Sequence, residues 1–294
     1  MRALGLVLVA GSIGIAAPTT ADDDTVILEP SSYWSVDFGE EKCRLARAFG
    51  EGEDRHLLFI EQGGPKSSFG FMAIGPAFER FRRPDRIEIQ FGEFEPMTDH
   101  MPMLGNTEGV GASLIFSNMN FRVRPETEGD AEEKRRKAPL PRLDVEAANQ
   151  IGSISVSYGK RNVVFNTGDL GEAVTVMNEC ALNFVEAWGL DRAAHETMSR
   201  LPRWTNEQAV VRRIQATYPL QALRRGESGI IRLRVTVEED GSISDCILDK
   251  ATIAESLDPP ACREMRRAEF EPALDKGGNP MRSFYQTNII YRVS

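Results

Sequence analysis

The chain has 294 residues, a formal net charge of −9 and an apolar fraction of 41%. This acidic balance argues against a nucleic-acid partner, because binding to phosphates needs a basic face. The apolar content is enough to form hydrophobic cores, and the length suggests one large domain or two ordinary ones. Beyond the N-terminal segment, no run of residues is long and apolar enough for a membrane-spanning helix.

Residues 1–21 have the pattern of a secretory signal peptide. Arg2 gives a short basic start, residues 3–17 form an uncharged apolar run, and small residues precede an acidic run that begins at Asp22. We predict cleavage after Ala21 and export to the periplasm. An uncleaved inner-membrane anchor is the alternative, but the apolar run is shorter than the roughly 20 residues of a spanning helix.

The chain has an even number of cysteines, which in an exported protein indicates disulfide bonds. They are Cys43, Cys180, Cys246 and Cys262. No C-x-x-C motif occurs, so neither a thioredoxin-like site nor a paired-ligand zinc site is indicated. Several pairings are open. Closure of a short loop favours Cys246–Cys262, which leaves Cys43–Cys180 as the second bond.

The first half of the chain carries the pattern of short strands separated by turns such as Gly63-Gly64-Pro65, which favours an antiparallel sheet or sandwich. Strands are expected at residues 34–38, 43–49, 56–61, 69–74, 86–91, 113–124, 151–158 and 162–165. Charges at 126–137 nearly cancel, and we interpret this stretch as a solvated loop, with an interaction segment as the alternative. A helix over residues 170–188 places Cys180 on its apolar stripe, facing the sheet.

Residues 196–206 are expected to form a connector that Pro202 and Trp204 dock. Residues 231–238 alternate apolar and polar side chains, as in a half-buried strand. The further expected elements are helices at 207–215 and 220–225, a return strand at 242–248, a helix that begins at Asp258, and a last strand at 281–293. The order is helix, two strands, helix, strand.

A set of motifs occurs in order along the last 90 residues. They are the segment 218–229, the strand and turn at 230–241, the segment 242–246, the helix at 257–268, Phe270-Glu271-Pro272-Ala273 and the closing strand. In this order they resemble the TonB C-terminal domain family, over less than a third of the chain. The resemblance implies a small domain with two helices packed on an antiparallel sheet.

The resemblance also implies a mode of binding. Energy-transducing members of the family add an extended segment of an outer-membrane transporter as an extra strand, because an exposed sheet edge carries unpaired backbone groups. The candidate partner-binding residues are Tyr218, Pro219, Tyr285, Gln286, Thr287, Asn288, Ile289, Ile290 and Tyr291. Two features differ from those transducers: the N-terminal segment has a cleavable pattern, and a strand-rich domain stands where they carry a Pro-rich spacer.

The last strand has two distinct faces. We expect one face to cover the helices and the other, mixed face to look to solvent. The first face carries Tyr285, Thr287, Ile289, Tyr291 and Val293, and the second carries Phe284, Gln286, Asn288, Ile290 and Arg292. If the strand lies at the sheet edge, a partner segment or the same strand of a second copy could add there, giving a homodimer in the latter case. The alternative is a strand that the first domain covers.

Catalytic patterns are weak throughout the chain. His56, His100 and His195 are isolated from one another, and no H-E-x-x-H motif, Walker loop or nucleophile elbow occurs. Asn166-Thr167-Gly168 is similar to the Asp-Thr-Gly of aspartic proteases, but an amide cannot share the proton which that chemistry needs. We therefore predict no catalytic, metal or cofactor site.

The sequence thus predicts an α+β protein. It comprises a signal peptide at 1–21, a strand-rich domain with one long helix at 22–195, a connector at 196–206 and a TonB C-terminal-like domain at 207–294. The preferred function is a periplasmic binding or adaptor protein that captures an extended partner segment at a sheet edge and is linked to outer-membrane transport. The alternatives are a membrane-anchored energy transducer and a cell-envelope enzyme in the first domain.

Overall fold

The computed structural model describes residues 24–122, 140–217, 219–250 and 261–291. The predicted signal peptide, the charged stretch at 126–137, Tyr218 and the start of the helix at Asp258 lie outside the described residues. Below, the N-terminal region means residues 24–195 and the C-terminal region means residues 207–291. The division at these residues remains a prediction.

The N-terminal region is built mainly from short strands. They are β1 Asp24–Leu28, β2 Ser35–Phe38, β3 Cys43–Phe49, β4 His56–Gln62, β5 Phe69–Ile74, β6 Ile87–Phe91, β7 Met103–Thr107, β8 Gly111–Met119, β9 Ile154–Tyr158 and β10 Arg161–Phe165. One antiparallel sheet has the order β2-β3-β4-β5-β8-β7. A second has the order β1-β10-β9-β6, in which β1 runs parallel to β10.

The sequence predicts no strand at β1 or β7, and each of them forms the edge of its sheet. Both strands are largely exposed, so their residues do not alternate between an apolar and a polar face. They are strands because their backbones pair with a neighbouring strand, and such pairing leaves no alternating pattern of buried side chains in the sequence.

The helices of this region are α1 Val145–Ala148, α2 Gly171–Ala187 and α3 Arg192–Thr197, the last of which runs on into the connector. There are also 3-10 turns at Gly52–Asp54, Pro76–Arg80 and Pro84–Arg86. Helix α2 packs on β2 and β3, and its residues at helical spacing are buried against them. Cys180 on α2 and Cys43 on β3 lie at disulfide distance, with 1.95 Å between their Sγ atoms. The bond therefore joins the long helix to the larger sheet, as the sequence favoured.

Phenylalanine dominates the core of the N-terminal region. The largest fully buried side chains include Phe49, Phe71, Phe78, Phe91, Phe116 and Phe165. Their rings meet mostly edge to face, for example Phe49 and Phe165 with centroids 5.0 Å apart, an arrangement that adds to the energy of simple burial. The two sheets and α2 share this one core cluster.

The C-terminal region and the connector contain the remaining elements. They are β11 Arg203–Trp204, α4 Glu207–Ala216, α5 Leu220–Arg225, β12 Gly229–Val237, β13 Ile243–Lys250, α6 Ala261–Met265, β14 Phe270–Glu271, β15 Ala273–Leu274, β16 Pro280–Met281 and β17 Ser283–Tyr291. The main sheet is antiparallel, with the order β13-β12-β17. The connector is part of this region's structure, since β11 pairs with β14.

The core of the C-terminal region follows from the alternation along β12. Ile231, Leu233 and Val235 are buried together with residues of α4 and α6. Cys246 on β13 and Cys262 on α6 lie at disulfide distance, with 2.09 Å between their Sγ atoms. Two regions of sheet and helix, each with its own core cluster, give the mixed fold class that the sequence predicts.

A third cluster joins the two regions. It contains Leu182 and Val185 from α2, together with Met281 and Phe284 from the C-terminal strands. Trp188, at the end of α2, meets the Phe284 ring edge to face at a centroid distance of 4.9 Å. Among the residues that the structure describes, no helix is both long and apolar enough to cross a bilayer.

Candidate functional site

Strand β17 forms one edge of the C-terminal sheet. Within the described residues, β12 is the strand that pairs with it, over all nine residues of β17. The sequence of β17 is Ser-Phe-Tyr-Gln-Thr-Asn-Ile-Ile-Tyr, which contains no charged residue. A long uncharged edge strand is a template for pairing with another chain.

The hydrogen-bond pattern shows which backbone groups face the open edge. Next to β12, the Glu238 N–H donates to the Ser242 carbonyl across the hairpin to β13. The β12–β13 register shifts between Thr236 and Val237, but β12 pairs with β17 without a shift. Because the bonding direction alternates along a regular strand, we infer that even-numbered residues of β12 face β13 and odd-numbered ones bond β17. The odd-numbered residues of β17 therefore bond β12. The backbone N–H groups that point away from β12 belong to Phe284, Gln286, Asn288 and Ile290.

Three residues on the mixed face of β17, Phe284, Gln286 and Asn288, do not look to solvent as predicted. Phe284 is buried against Trp188, and the Gln286 Nε2 donates to the Gly63 carbonyl at 2.7 Å. Further along, the Asn288 Nδ2 donates to Asn118 Oδ1 at 2.8 Å. The prediction is wrong for these three residues because the N-terminal region covers them and accepts a hydrogen bond from each amide nitrogen. Gln286 Oε1 and Asn288 Oδ1 are buried without a hydrogen-bond partner among the described residues. On the same face Ile290 is 39% exposed, and Arg292 lies outside the described residues. Because β17 also lies at the edge of its sheet, cover of this one face leaves pairing at the strand's edge as a prediction.

Gly64 allows this close approach. Its φ of +147° lies in a range that favours glycine. A Cβ at this position would lie 2.4 Å from Trp188 Cη2 and 2.8 Å from the Gln286 amide atoms. The Gly63-Gly64-Pro65 turn between β4 and β5 is therefore one part of the N-terminal region that rests on β17, beside Asn118 and Trp188.

The opposite face of β17 packs against the core of its own region. Tyr285, Ile289 and Tyr291 contact the C-terminal core cluster. The Tyr285 ring lies 5.3 Å from that of Phe270 and 5.7 Å from that of Trp204, measured between centroids. Trp204 itself is buried and stacks on Phe270, so it docks the connector as the sequence predicts.

A cleft of about 360 Å³ lies beside the first residues of β17. The N-terminal region, the connector and β17 each contribute to its lining. The lining residues are Pro65, Lys66, Pro141, Leu201, Pro202, Arg203, Trp204, Glu207, Phe284, Tyr285 and Gln286. Side chains from both faces of β17 border the cleft, so it opens onto the strand's edge, where the N–H groups of Phe284 and Gln286 point away from β12.

Lys66 lines this cleft and also an adjoining pocket that Glu61, Arg232 and Asn288 line. It is a cation of the cleft without a carboxylate partner among the described residues. Arg203 pairs with Glu271, whereas the structure gives Lys66 neither a salt bridge nor a side-chain hydrogen bond to a described residue. Burial, with a smaller effect from the nearby Arg232 guanidinium, lowers the pKa of Lys66 to about 8. Glu207 lines the same cleft at the first turn of α4.

A network of charges joins the two regions beneath β17. The buried Glu61 of β4 accepts from Arg232 Nη2 of β12 at 2.6 Å and from Arg44 Nε of β3 at 2.7 Å. Lys42 Nζ lies 3.3 Å from the same carboxylate, and Arg232 also donates to Asp249 at 2.8 Å. Burial alone would raise the pKa of Glu61, but these three cations outweigh it and the pKa is lowered.

The three histidines do not form a site. In His56 and His195 the Nδ1 atoms contact the backbone carbonyls of Asp54 and Asp191, and the His195 Nε2 lies 3.0 Å from Ser283 Oγ. Burial lowers the pKa of both rings. His100 lies at the surface beside Asp99. The described parts of the chain contain no group of three or more residues suited to hold a metal ion.

The motif at Asn166-Thr167-Gly168 is a turn before α2. The Thr167 carbonyl accepts from the Arg47 guanidinium and from the Trp34 indole. The Asn166 amide donates to the Glu29 carboxylate. These bonds fix the turn between β10 and α2, while Thr167 Oγ1 is buried without a hydrogen-bond partner among the described residues.

The structure brings most of the candidate partner-binding residues together. Tyr285, Gln286, Thr287, Asn288, Ile289, Ile290 and Tyr291 lie on β17. Pro219 lies in a different element, directly before α5. Sequence reasoning gave no binding role to Pro65 or to Lys66, which follows the Gly63-Gly64-Pro65 turn, because nothing in this segment shows that it faces the last strand.

Residues 214–293 match the family described as Gram-negative bacterial TonB protein C-terminal. The match begins near the end of α4 and includes β17. Comparison with curated proteins gives no match.

Proposed function

Since the C-terminal region is a member of the TonB C-terminal family, we propose that this protein binds an extended segment of a partner at the open edge of β17. The segment adds as a further antiparallel or parallel strand beside β17 and occupies the cleft that the N-terminal region and the connector border. The partner is an outer-membrane transporter, and the protein acts as a periplasmic adaptor.

The observation that carries the proposal is the long edge of β17. Its N–H groups at Phe284, Gln286, Asn288 and Ile290 point away from β12, and the strand carries no charge that would oppose pairing. Main-chain hydrogen bonds give affinity in strand addition, while pockets for alternate side chains give specificity. The cleft beside Phe284 and Gln286 offers such a pocket.

The N-terminal region supports the proposal by holding β17 in place. Contacts from Gly63 and Asn118 fix the side chains of Gln286 and Asn288, and Trp188 fixes Phe284. A strand that is ordered before binding loses little conformational entropy when a partner adds to it. The N-terminal region therefore serves as a support for the binding edge.

The disulfide bonds support the proposed compartment. All four cysteines lie in bonds, one in each region. Disulfides persist in oxidising compartments such as the bacterial periplasm and are rare in the cytosol. Export agrees with the signal-peptide pattern of residues 1–21.

The alternation along β17 gives a direct test. Ten-residue peptides from a random library are selected for binding to the wild-type protein, and amide hydrogen exchange is measured with and without a selected peptide. In the free protein the odd-numbered amides of β17 should be protected by β12, and those of Phe284, Gln286, Asn288 and Ile290 should exchange faster. Bound peptide should protect amides of this second set and leave the first set unchanged.

A pair of variants separates the backbone from the side chain. Asn288→Pro removes an outward N–H and should reduce peptide affinity at least about tenfold. Asn288→Ala loses the same contact to Asn118 but keeps the N–H, so it should bind nearly as wild type does. The proposal is refuted if a folded Asn288→Pro variant binds the peptides with normal affinity and the outward amides are not protected, because the binding site would then lie elsewhere.

A further inference from the structure

The cleft beside β17 has a chemical preference that depends on the N-terminal region. Its walls are mostly proline and aromatic residues, namely Pro65, Pro141, Pro202, Trp204, Phe284 and Tyr285. Three charged residues also line it: Lys66, Arg203 and Glu207. Their surroundings differ, and this difference decides which ligand group the cleft favours.

Arg203 is already neutralised. It pairs with Glu271 on the neighbouring strand β14 through two nitrogen atoms. Glu207 lies in the first turn of α4, where the partial positive charge of the helix N-terminus favours a carboxylate. The charges of Arg203 and Glu207 are therefore already stabilised within the protein and do not call for an opposite charge on the ligand.

Lys66 differs from both. It is partly buried, and within the described residues it makes no salt bridge and no side-chain hydrogen bond. The charged group that acts on it most is another cation, Arg232, whose own guanidinium is held by Glu61 and Asp249. A partly desolvated ammonium without a counter-ion is costly, so a carboxylate brought to it gains more than it would at the surface.

We propose that Lys66 selects partner segments with an acidic side chain at the position that lies in the cleft. The segment would be an extended peptide that carries Asp or Glu among otherwise apolar and uncharged residues, which suits the proline and aromatic walls. This inference rests on the proposed strand addition at β17, and it assigns specificity to a residue of the N-terminal region. The C-terminal region supplies the backbone edge that pairs with the peptide, and Lys66 of the N-terminal region binds the peptide's carboxylate.

The pKa of Lys66 supports this assignment. A value of about 8 leaves the ammonium mostly charged at neutral pH, and a bound carboxylate would raise the pKa by stabilising the charged form. Preference for an acidic peptide should therefore fall as pH rises from 7 towards 10. The other titratable or charged groups that line the cleft are Arg203, Glu207 and the Tyr285 phenol, and Arg232 lies close to Lys66.

The test uses the full protein and the same peptide library, displayed within a loop so that no peptide has a free C-terminal carboxylate. Wild type should enrich Asp and Glu at one position of the selected peptides. Soluble peptides with Glu replaced by Gln should bind at least about tenfold more weakly. Lys66→Met should still select extended peptides but lose the acidic preference, and Lys66→Arg should retain it.

The outcomes separate this inference from the proposed function. If the peptides selected by wild type show no enrichment of Asp or Glu, the role of Lys66 is wrong while strand addition at β17 stands. The same holds if the acidic preference persists in Lys66→Met. If wild type selects no more peptides than Asn288→Pro does, strand addition fails and the role of Lys66 fails with it. Lys66→Met replaces an uncompensated cation by an apolar side chain of similar length, and thermal unfolding checks that the variant is folded.

Discussion

The sheet edges of the two regions differ in length and charge. In the N-terminal region the edge strands β1, β2, β6 and β7 have four or five residues each. In the C-terminal region β13 has eight residues and β17 has nine. Proteins prevent unwanted strand pairing with short edges and with charged side chains. The N-terminal region uses the first means throughout.

The two long edges of the C-terminal region differ from each other as well. Strand β13 carries Asp245, Asp249 and Lys250 and is bonded to α6 through Cys246. Strand β17 has no charge. Among these sheet edges, β17 is the long one without charge, and for this reason we propose the binding site there.

The two regions also have a feature in common: each contains one disulfide bond that joins a helix to a strand. The largest effect we expect comes from breaking these bonds. The Cys43–Cys180 bond spans 137 residues and the Cys246–Cys262 bond spans 16. In the chain-entropy model, losing the first should reduce the free energy of unfolding by about 5 kcal/mol and losing the second by about 3 kcal/mol.

Urea unfolding of the two double Cys→Ala variants checks this order. Trp34 and Trp188 report on the N-terminal region and Trp204 on the C-terminal region by fluorescence. An equal loss in both variants, or a larger loss for Cys246→Ala with Cys262→Ala, would show that loop length does not decide the effect and that local packing does.

The next effect concerns the charges between the regions. Glu61→Gln removes the carboxylate that Lys42, Arg44 and Arg232 share. Because Glu61 is buried while Lys42 and Arg44 are partly exposed, we expect a loss of about 2–3 kcal/mol in the free energy of unfolding at pH 7. Asp249→Asn is the matched control, since it removes one contact of Arg232 and leaves Glu61 in place.

The effect of Glu61 should depend on pH in one direction. Its folded pKa is lowered, so the charged form stabilises the folded protein above the unfolded pKa of about 4.3. This stabilisation is lost as pH falls through the folded pKa, and the difference between wild type and Glu61→Gln should shrink there. A difference of the same size at pH 3 as at pH 7 would contradict the charge pairing as its source.

The smallest effect concerns the turn that rests on β17. Gly64→Ala should reduce the free energy of unfolding by about 1–2 kcal/mol, because its Cβ would clash with Trp188 and Gln286 and its φ of +147° is unfavourable for alanine. Gly63→Ala is the control, since its Cβ would lie at an ordinary 3.5 Å from Arg232 Cδ and from the Glu41 carbonyl oxygen.

Denaturation followed by Trp188 fluorescence compares these two variants. Gly64→Ala should also alter peptide binding, because the displaced turn carries Pro65 and Lys66 of the cleft. Equal stability of the two variants would show that the turn tolerates a side chain, and that the N-terminal region does not need to approach β17 so closely.

Much of the fold could be predicted from local patterns in the sequence. Alternation along residues 231–237 predicts the buried row of β12, and helical spacing predicts α2 with Cys180 facing the sheet. Predicted and observed strands agree closely at β3 and β5. These features depend on which side chains of one segment are apolar, and that information is local.

Only the tertiary structure decided which strands are edges and what covers them. The pattern of β17 is the same whether it lies inside the sheet or at its edge, because strand order depends on pairing between segments distant in sequence. The mixed row of Phe284, Gln286 and Asn288 suits water as well as the polar atoms of Gly63 and Asn118 that meet it. Lys66 shows the same limit, because its uncompensated charge arises from the position of neighbouring elements and leaves no periodic signal in the sequence.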